Sequence, residues 1–246
     1  MVGLGPGDAR HLTPAALEAL KACDTIVGYR TYLHLIEPLL VGKKTLATGM
    51  RQEVARARKS IELACQGQRV CLVCSGDPGI YGMAGLVYEL LQASGPPEIA
   101  PPVEIIPGVS ALSSAAALLG APLMHDFATV SLSDLLTPWE TIARRLKAVA
   151  AADFVLVMYN PRSSRRTEPL VEAQRILLDF RSPTTPVGVV KAAYRPGQRV
   201  VVTSLDKMLN AEVDMLTTVI VGNSSTFQFG EAMVTRRGYG EKYDLG

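Results

Sequence analysis

The octapeptide Ser75-Gly-Asp-Pro-Gly-Ile-Tyr-Gly82 carries the densest potential chemistry in this 246-residue sequence. It follows the apolar run Val70–Cys74 and precedes a helical pattern opening near Tyr81, so a buried strand feeds a glycine turn and the turn feeds a helix. Gly76, Gly79 and Gly82 lack a Cβ, which lets backbone approach a ligand or take positive φ, and Asp77 supplies a fixed acceptor. A nucleoside-type cofactor suits that turn; a plain strand-to-helix connection would use the same glycines. Three more turns follow apolar runs, where open α/β sheets place their ligands. Gly3-Leu-Gly-Pro-Gly-Asp8 resembles a dinucleotide fingerprint until its last position, where Asp8 replaces the third glycine and Pro6 stiffens the turn. Pro107-Gly-Val-Ser-Ala111 offers Ser110 as a helix cap and exposed amides for a carboxylate. Tyr159-Asn-Pro-Arg-Ser163 continues to Arg165 and Arg166, and the arginines at 162, 165 and 166 suit a ligand with several acidic arms. A solvated loop face is the commoner fate of such a run. His125-Asp126 is an acid/base pair on paper, but neighbours on extended backbone diverge, so a structural role is the readier reading.

These turns need a scaffold, and the first half provides one by alternating short apolar strands with helical stretches, the pattern of a largely parallel sheet. Strands are expected at 1–4, 25–28, 70–74 and 103–106. Helices are expected at 15–22, capped by Thr13 with Pro14 at the first position, and at 52–65, 81–92 and 109–119. In the helix over 52–65, Val54, Ile61 and Ala64 are expected inward and Arg56, Arg58 and Lys59 outward. The stretch Gly120–Asp126 breaks the pattern and is the expected linker between α/β domains 1–120 and 121–246. Strands follow at 128–132, 154–159, 186–190, 199–204 and 217–221, with helices at 138–149 and 167–180. Few crossover helices separate the last three strands, so part of that sheet is expected to be antiparallel. Beyond Ser224 the pattern fades, and the tail reads as loop or an interface arm.

Composition narrows the function classes. Lys and Arg number 25 against 23 Asp and Glu, a net charge of +2 spread along the chain, which lacks the concentrated stripe of a nucleic-acid footprint. Charged residues, Gly or Pro interrupt every apolar run before it reaches a membrane-spanning length, and no secretory or transit signal is visible, so the expected compartment is the cytoplasm. The four cysteines at 23, 65, 71 and 74 read as reduced. Cys71 and Cys74 form a C-x-x-C, but on a strand they point to opposite faces, so no metal site is expected. Small-molecule chemistry remains.

Taken together, Val2-Gly-Leu-Gly-Pro-Gly-Asp8 with Leu12-Thr-Pro14, Ser75-Gly-Asp-Pro78, Pro107-Gly-Val-Ser-Ala111 and Thr217-Thr-Val-Ile-Val-Gly-Asn223 resemble the tetrapyrrole methylases. The resemblance runs in order over almost the whole chain. Within that family, Gly79-Ile-Tyr-Gly-Met-Ala-Gly-Leu-Val-Tyr-Glu89, His125-Asp-Phe127, the stretch Ser131–Trp139, Tyr159-Asn-Pro-Arg-Ser163 and Met233-Val-Thr-Arg-Arg-Gly-Tyr239 are similar to the branch acting at C17 of precorrin-3B, or of its cobalt-bearing counterpart cobalt-factor III. The resemblance implies a homodimer of two-domain α/β subunits, with S-adenosyl-L-methionine folded into the cleft between domains and S-adenosyl-L-homocysteine as product. It implies methylation at C17 with ring contraction to precorrin-4, in cobalamin biosynthesis. By motif position, Pro6 lies in the first cofactor loop, Gly76, Asp77 and Ile80 meet the amino-acid part and ribose, Ser110 and Ala111 line the pocket, and Tyr159, Asn160 and Ala193 flank the adenine. Asp8 faces the macrocycle and is the first choice for the proton transfer of ring contraction, ahead of Tyr159, Ser131 and His125. Arg162, Arg165 and Arg166 are expected to meet the substrate's carboxylates. Some relatives carry an additional C-terminal metal-cluster segment; this sequence has no cysteines near residue 246, and no iron–sulfur cluster is expected.

Overall fold

The computed structural model describes residues 1–164 and 166–245, and the chain divides into two compact α/β units, Met1–Ala111 and Leu112–Gly246. The first unit holds strands β1 (Val2–Gly3), β2 (Thr25–Tyr29), β3 (Lys44–Thr48) and β4 (Val70–Cys74), with helices α1 (Pro14–Ala22), α2 (Arg30–Leu35), α3 (Glu53–Cys65) and α4 (Ala84–Ser94). The strands lie in the order β1-β4-β2-β3 and every pair is parallel. All four strands therefore end at one edge of the sheet, and the turns that follow them share it. The N-terminus of α1 is built as its sequence requires: the Thr13 hydroxyl accepts from the Ala16 amide at 3.1 Å, and Pro14 occupies the first turn. Strand β4 is covered on both faces. Cys71 and Val73 join Leu20 and Ile26 in one apolar cluster, while Leu72 and Cys74 join Val27 and Val87 in another. The two cysteines of the C-x-x-C thus lie on opposite faces, and burial pushes the Cys74 thiol up.

The second unit adds α5 (Ala111–Leu119), β5 (Gly120–Ala121), β6 (Phe127–Ser131), α6 (Trp139–Ala151), β7 (Val155–Tyr159), α7 (Glu168–Leu178), β8 (Pro186–Lys191), β9 (Arg199–Ser204), β10 (Thr217–Val221), β11 (Thr226–Phe229), β12 (Ala232–Thr235) and α8 (Tyr239–Lys242). Its main sheet has the order β6-β7-β10-β8-β9. The β6–β7 pair is parallel, whereas β10 runs antiparallel to both β7 and β8, and β8 to β9, as the missing crossovers predict. Ile142, Leu146, Leu170, Ala173 and Leu177 of the two long helices pack on Leu156, Met158, Val219 and Val221. On the other face, Ala115 and Leu119 of α5 meet Val155, Val157, Val190 and Ile220. Leu119 lies so close that a Cβ on Gly188 would stand 2.3 Å from its Cδ1, so β8 carries glycine there.

Four local expectations differ from what forms. The stretch 103–106 makes one isolated bridge, Val2 to Ile106, because Pro101, Pro102 and Pro107 withhold the donors a ladder needs. Helix α3 is turned so that Arg56, Ala57 and Ser60 are buried, while Val54 is 48% exposed. Gly120 and Ala121, inside the expected linker, pair in parallel with Met233 and Val234. The expected loose tail forms the β11–β12 hairpin, turned at Gly230 with φ +58°. Among the described residues, no helix is long and apolar enough to cross a membrane.

Candidate active site

Three of the four turns converge in the first unit. After β1, Gly5 forms an antiparallel bridge with Gly76 after β4: the Gly5 amide donates to the Gly76 carbonyl at 3.1 Å and the Gly76 amide donates back at 2.7 Å. Gly76 sits at φ +67°, which glycine takes without strain. The third turn is held against both. A Cβ on Gly108 would stand 2.2 Å from the Gly76 carbonyl oxygen and 2.8 Å from the Gly3 carbonyl carbon, so backbone packs directly on backbone. Asp77 joins the second turn to the third, its Oδ1 accepting from the Gly79 amide at 2.7 Å and its Oδ2 from the Gly108 amide at 3.1 Å. Pro6 and Ser110 are buried beside these contacts, and Ile80 presents a side chain that is 38% exposed.

Asp8 does something the sequence did not announce. It caps the short 3-10 helix Ala9–His11 by accepting from the Arg10 amide at 2.9 Å, and it pairs with the Arg10 guanidinium at 2.7 Å. The hydrogen bonds from that side chain, then from its amide, hold the Asp8 carboxyl well below the usual carboxylate range, at about 2. A depressed carboxylate pKa contributes stability above the unfolded value near about 4 and loses it as pH falls through the folded one. Arg10→Ala is expected to raise the Asp8 midpoint toward about 4, followed by carbonyl-carbon NMR against pH. An unshifted midpoint would assign the depression to the backbone amide alone.

In the second unit, Ser131 at the end of β6 stands in register with Tyr159 at the end of β7. Asn160 follows at φ +50° and its Nδ2 donates to Ser131 Oγ at 3.0 Å; the Ser133 amide donates to the same oxygen at 3.3 Å. Tyr159 Oη accepts from the Leu112 amide at 2.9 Å, at the start of α5. Ala193, in the turn after β8, packs against the same apolar cluster as Tyr159. Tyr159, Asn160, Ser131 and Ala193 therefore belong to one neighbourhood. His125 does not. It lies in a bend before β6, whose other end carries Ser131, and its exposed ring accepts from the Asp126 amide at 2.8 Å.

The three expected arginines part company. Arg162 is half-buried and has no hydrogen-bond or ion-pair partner among the described residues. Arg165 lies outside the described residues. Arg166 is engaged by the protein itself: Nη1 donates to the Leu132 carbonyl, Nη2 to the Asn160 carbonyl at 2.9 Å, and Nε lies 3.8 Å from Asp134. It holds the ends of β6 and β7 together. A cavity of about 510 Å³, lined by Cys23, Cys71, Val103 and Ile106 among others, opens at the N-terminal ends of the first unit's strands, away from the glycine turns.

Residues 1–209 match the family described as Tetrapyrrole (Corrin/Porphyrin) Methylases. The chain belongs to this family. A cobalt-factor III methyltransferase of Priestia megaterium is 54% identical over all 246 residues, and the methylase chain spans 46% of that protein's length. A probable cobalt-factor III C(17)-methyltransferase of Salmonella typhimurium is 47% identical over 97% of the chain and 98% of its own length. A precorrin-3B C(17)-methyltransferase of a Sinorhizobium species is 41% identical over 92% of the chain and 89% of its own length. Among solved structures, the methyltransferase CobJ superposes with a TM-score of 0.88 at 38% identity, covering 96% of this methylase and 98% of that chain. A uroporphyrin-III C-methyl transferase from Thermus thermophilus, complexed with S-adenyl homocysteine, superposes at 0.65 with 26% identity over 90% of this methylase and 95% of that chain.

Proposed function

We propose that this methylase transfers a methyl group from S-adenosylmethionine to C17 of precorrin-3B, with ring contraction to precorrin-4, in cobalamin biosynthesis. The observation that carries the reading is the backbone-to-backbone convergence of the turns ending at Asp8, Gly82 and Ala111, on a chain whose relatives are named for C17 methylation. The turns suit a nucleoside-type cofactor: Gly76 takes φ +67° without strain and brings bare backbone to within 3.6 Å, measured from an added Cβ, of the Ala111 amide nitrogen. Gly76, Asp77, Ile80, Ser110 and Ala111 would hold its amino-acid and ribose parts, with Pro6 in the first loop, and Tyr159, Asn160 and Ala193 its adenine. When bound, that cofactor supplies an activated methyl on a sulfonium.

The protein's share is orientation and exclusion of water, for which positioning alone supplies about 7–11 kcal/mol of barrier lowering in well-aligned systems. Ring contraction also requires a proton to be handled at a ring hydroxyl. With its pKa at about 2, Asp8 is a weak base, suited to pairing with positive charge. Ser131 Oγ accepts from two N–H groups, which leaves its own proton to donate toward developing charge. Tyr159 stands beside it in register, and Arg162, with no protein partner among the described residues, would meet a substrate carboxylate.

Cobalt-factor III is the second reading, favoured by the names of the relatives at 54% and 47% identity. The test incubates the purified chain with methyl-labelled cofactor and each pigment in turn. Label is expected in one of the two products, with the extruded meso carbon retained as an acetyl group. Label in neither sinks the C17 assignment. Arg162→Ala is expected to raise the KM for the accepted pigment by roughly three- to tenfold, with less effect at high salt.

A further inference from the structure

Arg56 is 3% exposed, and its guanidinium has no carboxylate partner among the described residues. Nε donates to Thr48 Oγ1 at 2.5 Å and Nη2 to the Gly49 carbonyl at 3.1 Å, while among the described residues Nη1 meets the Met83 thioether, at 3.3 Å. The guanidinium carbon also lies 5.8 Å from the centroid of the Tyr29 ring. A thioether is a weak acceptor, and a buried cation is expensive unless it is paired. The other deeply buried guanidinium, Arg181, has the Asp153 carboxylate near it and donates to the carbonyls of Phe154, Val221 and Gly222, although its Nε has no partner among the described residues. The Cys74 thiol feels the Arg56 charge, but burial pushes that thiol up and keeps it neutral.

Position gives this unbalanced charge a meaning. Thr48 ends β3 and Tyr29 ends β2, so Arg56 lies along the sheet edge that carries Asp8 after β1 and Asp77 after β4. Strands about 4.8 Å apart place the two carboxylates toward one side of that edge and the guanidinium toward the other. The residues just after β3 form a turn that Arg56 holds through Thr48 and the Gly49 carbonyl. The turn 48–52 is closed by Gln52 and Glu53 side chains accepting from the Gly49 and Arg51 amides, with Met50 64% exposed and Arg51 at φ +63°. Met83 itself carries the most adaptable of apolar side chains.

We propose that Arg56 is an anion-receiving group of the first unit, and that a carboxylate arm of the macrocyclic substrate displaces the Met83 thioether from Nη1. The assignment rests on the function proposed above for the identity of the arm. It predicts that Arg56→Met, close in length and uncharged, raises the KM for the macrocycle roughly ten- to hundredfold, the range of a hydrogen bond to a charged group. Affinity for S-adenosylmethionine, read by calorimetry, stays within about twofold. The deciding measurement repeats both KM values with the macrocycle's carboxylates methyl-esterified. Esterification is expected to weaken the wild-type chain and to remove most of the difference between it and the variant, because both changes delete one contact. A variant KM equal to wild type, or two penalties that simply multiply, would overturn the proposal. Should Arg56→Met fail to fold in a thermal melt, Arg56→Lys, which keeps the charge but loses the forked geometry, is put through the same cycle. A wild-type chain that binds cofactor yet labels neither pigment defeats the functional reading at the control stage, and with it the ligand assigned to Arg56; a working wild type with additive penalties defeats the Arg56 assignment alone.

Discussion

Gly108→Ala is expected to abolish measurable binding of S-adenosylmethionine and to destabilise the chain by roughly 3 kcal/mol, at the upper end of the usual overpacking range. The reason is local and steric. The new methyl would stand 2.2 Å from the Gly76 carbonyl oxygen and 2.9 Å from the Gly3 Cα, and neither is the free end of a side chain. Relief requires the third turn to lift off the other two, which breaks the Asp77–Gly108 hydrogen bond and strains the mutual bridge of Gly5 and Gly76. Gly85→Ala provides the contrast. That position lies in α4 with nothing within 4 Å of the added methyl, so the substitution is expected to stabilise by about 0.5–1 kcal/mol through helix propensity and to leave binding intact. Urea unfolding and calorimetry on the two variants check both numbers; a Gly108→Ala chain with wild-type affinity would mean the convergence does not form the cofactor's seat.

Asp77→Ala is expected to weaken S-adenosylmethionine binding about a hundredfold, whereas Asp8→Ala leaves that affinity within roughly threefold and slows turnover instead. Each Asp77 oxygen accepts from a backbone amide of a different segment, Gly79 within its own turn and Gly108 in the next. Hydrogen bonds to a charged group contribute about 1.5–3 kcal/mol each, and losing both leaves two amides short of a partner and two turns unjoined. Among the described residues the Asp8 carboxylate bonds to Arg10, two residues away in its own turn, so its loss leaves the three-turn contact in place. Titration calorimetry on the two variants, paired with single-turnover label transfer, separates the roles. The opposite pattern, affinity lost with Asp8 and kept with Asp77, would exchange the two assignments.

The parts legible in sequence were those fixed by chain-local chemistry. Apolar runs ending in Gly-Pro-Gly-Asp, Ser-Gly-Asp-Pro and Pro-Gly-Val-Ser identified three turns, and a parallel sheet does bring them to one edge. Thr13-Pro14 marked a helix start because capping depends on two adjacent residues. What failed depended on partners far along the chain. Keeping charge outward turns α3 the wrong way, because the small residues Ala57 and Ser60 are buried and Arg56 bonds to Thr48 at the end of β3. Gly120–Ala121 read as a break because two residues carry no periodicity, and only the distant β12 makes them a strand. Ser131 and Asn160 were named separately, but their mutual hydrogen bond follows from a β6–β7 register that sequence does not specify. Adjacency to Asp126 makes His125 an acid/base candidate in the sequence, whereas it precedes β6 and Ser131 ends that strand.

Strand β10 has a consequence for how the polypeptide is made. It sits between β7 and β8 in the middle of the five-stranded sheet, yet it is the last of those five to leave the ribosome. Until residues 217–221 emerge, β7 and β8 present bare backbone edges and an incomplete apolar layer, the features that invite mispairing between nascent chains. The stretch matched to the family ends at residue 209, before this strand begins. A fragment trimmed to that limit would therefore be expected to aggregate on translation, and extension through residue 221 to restore its solubility.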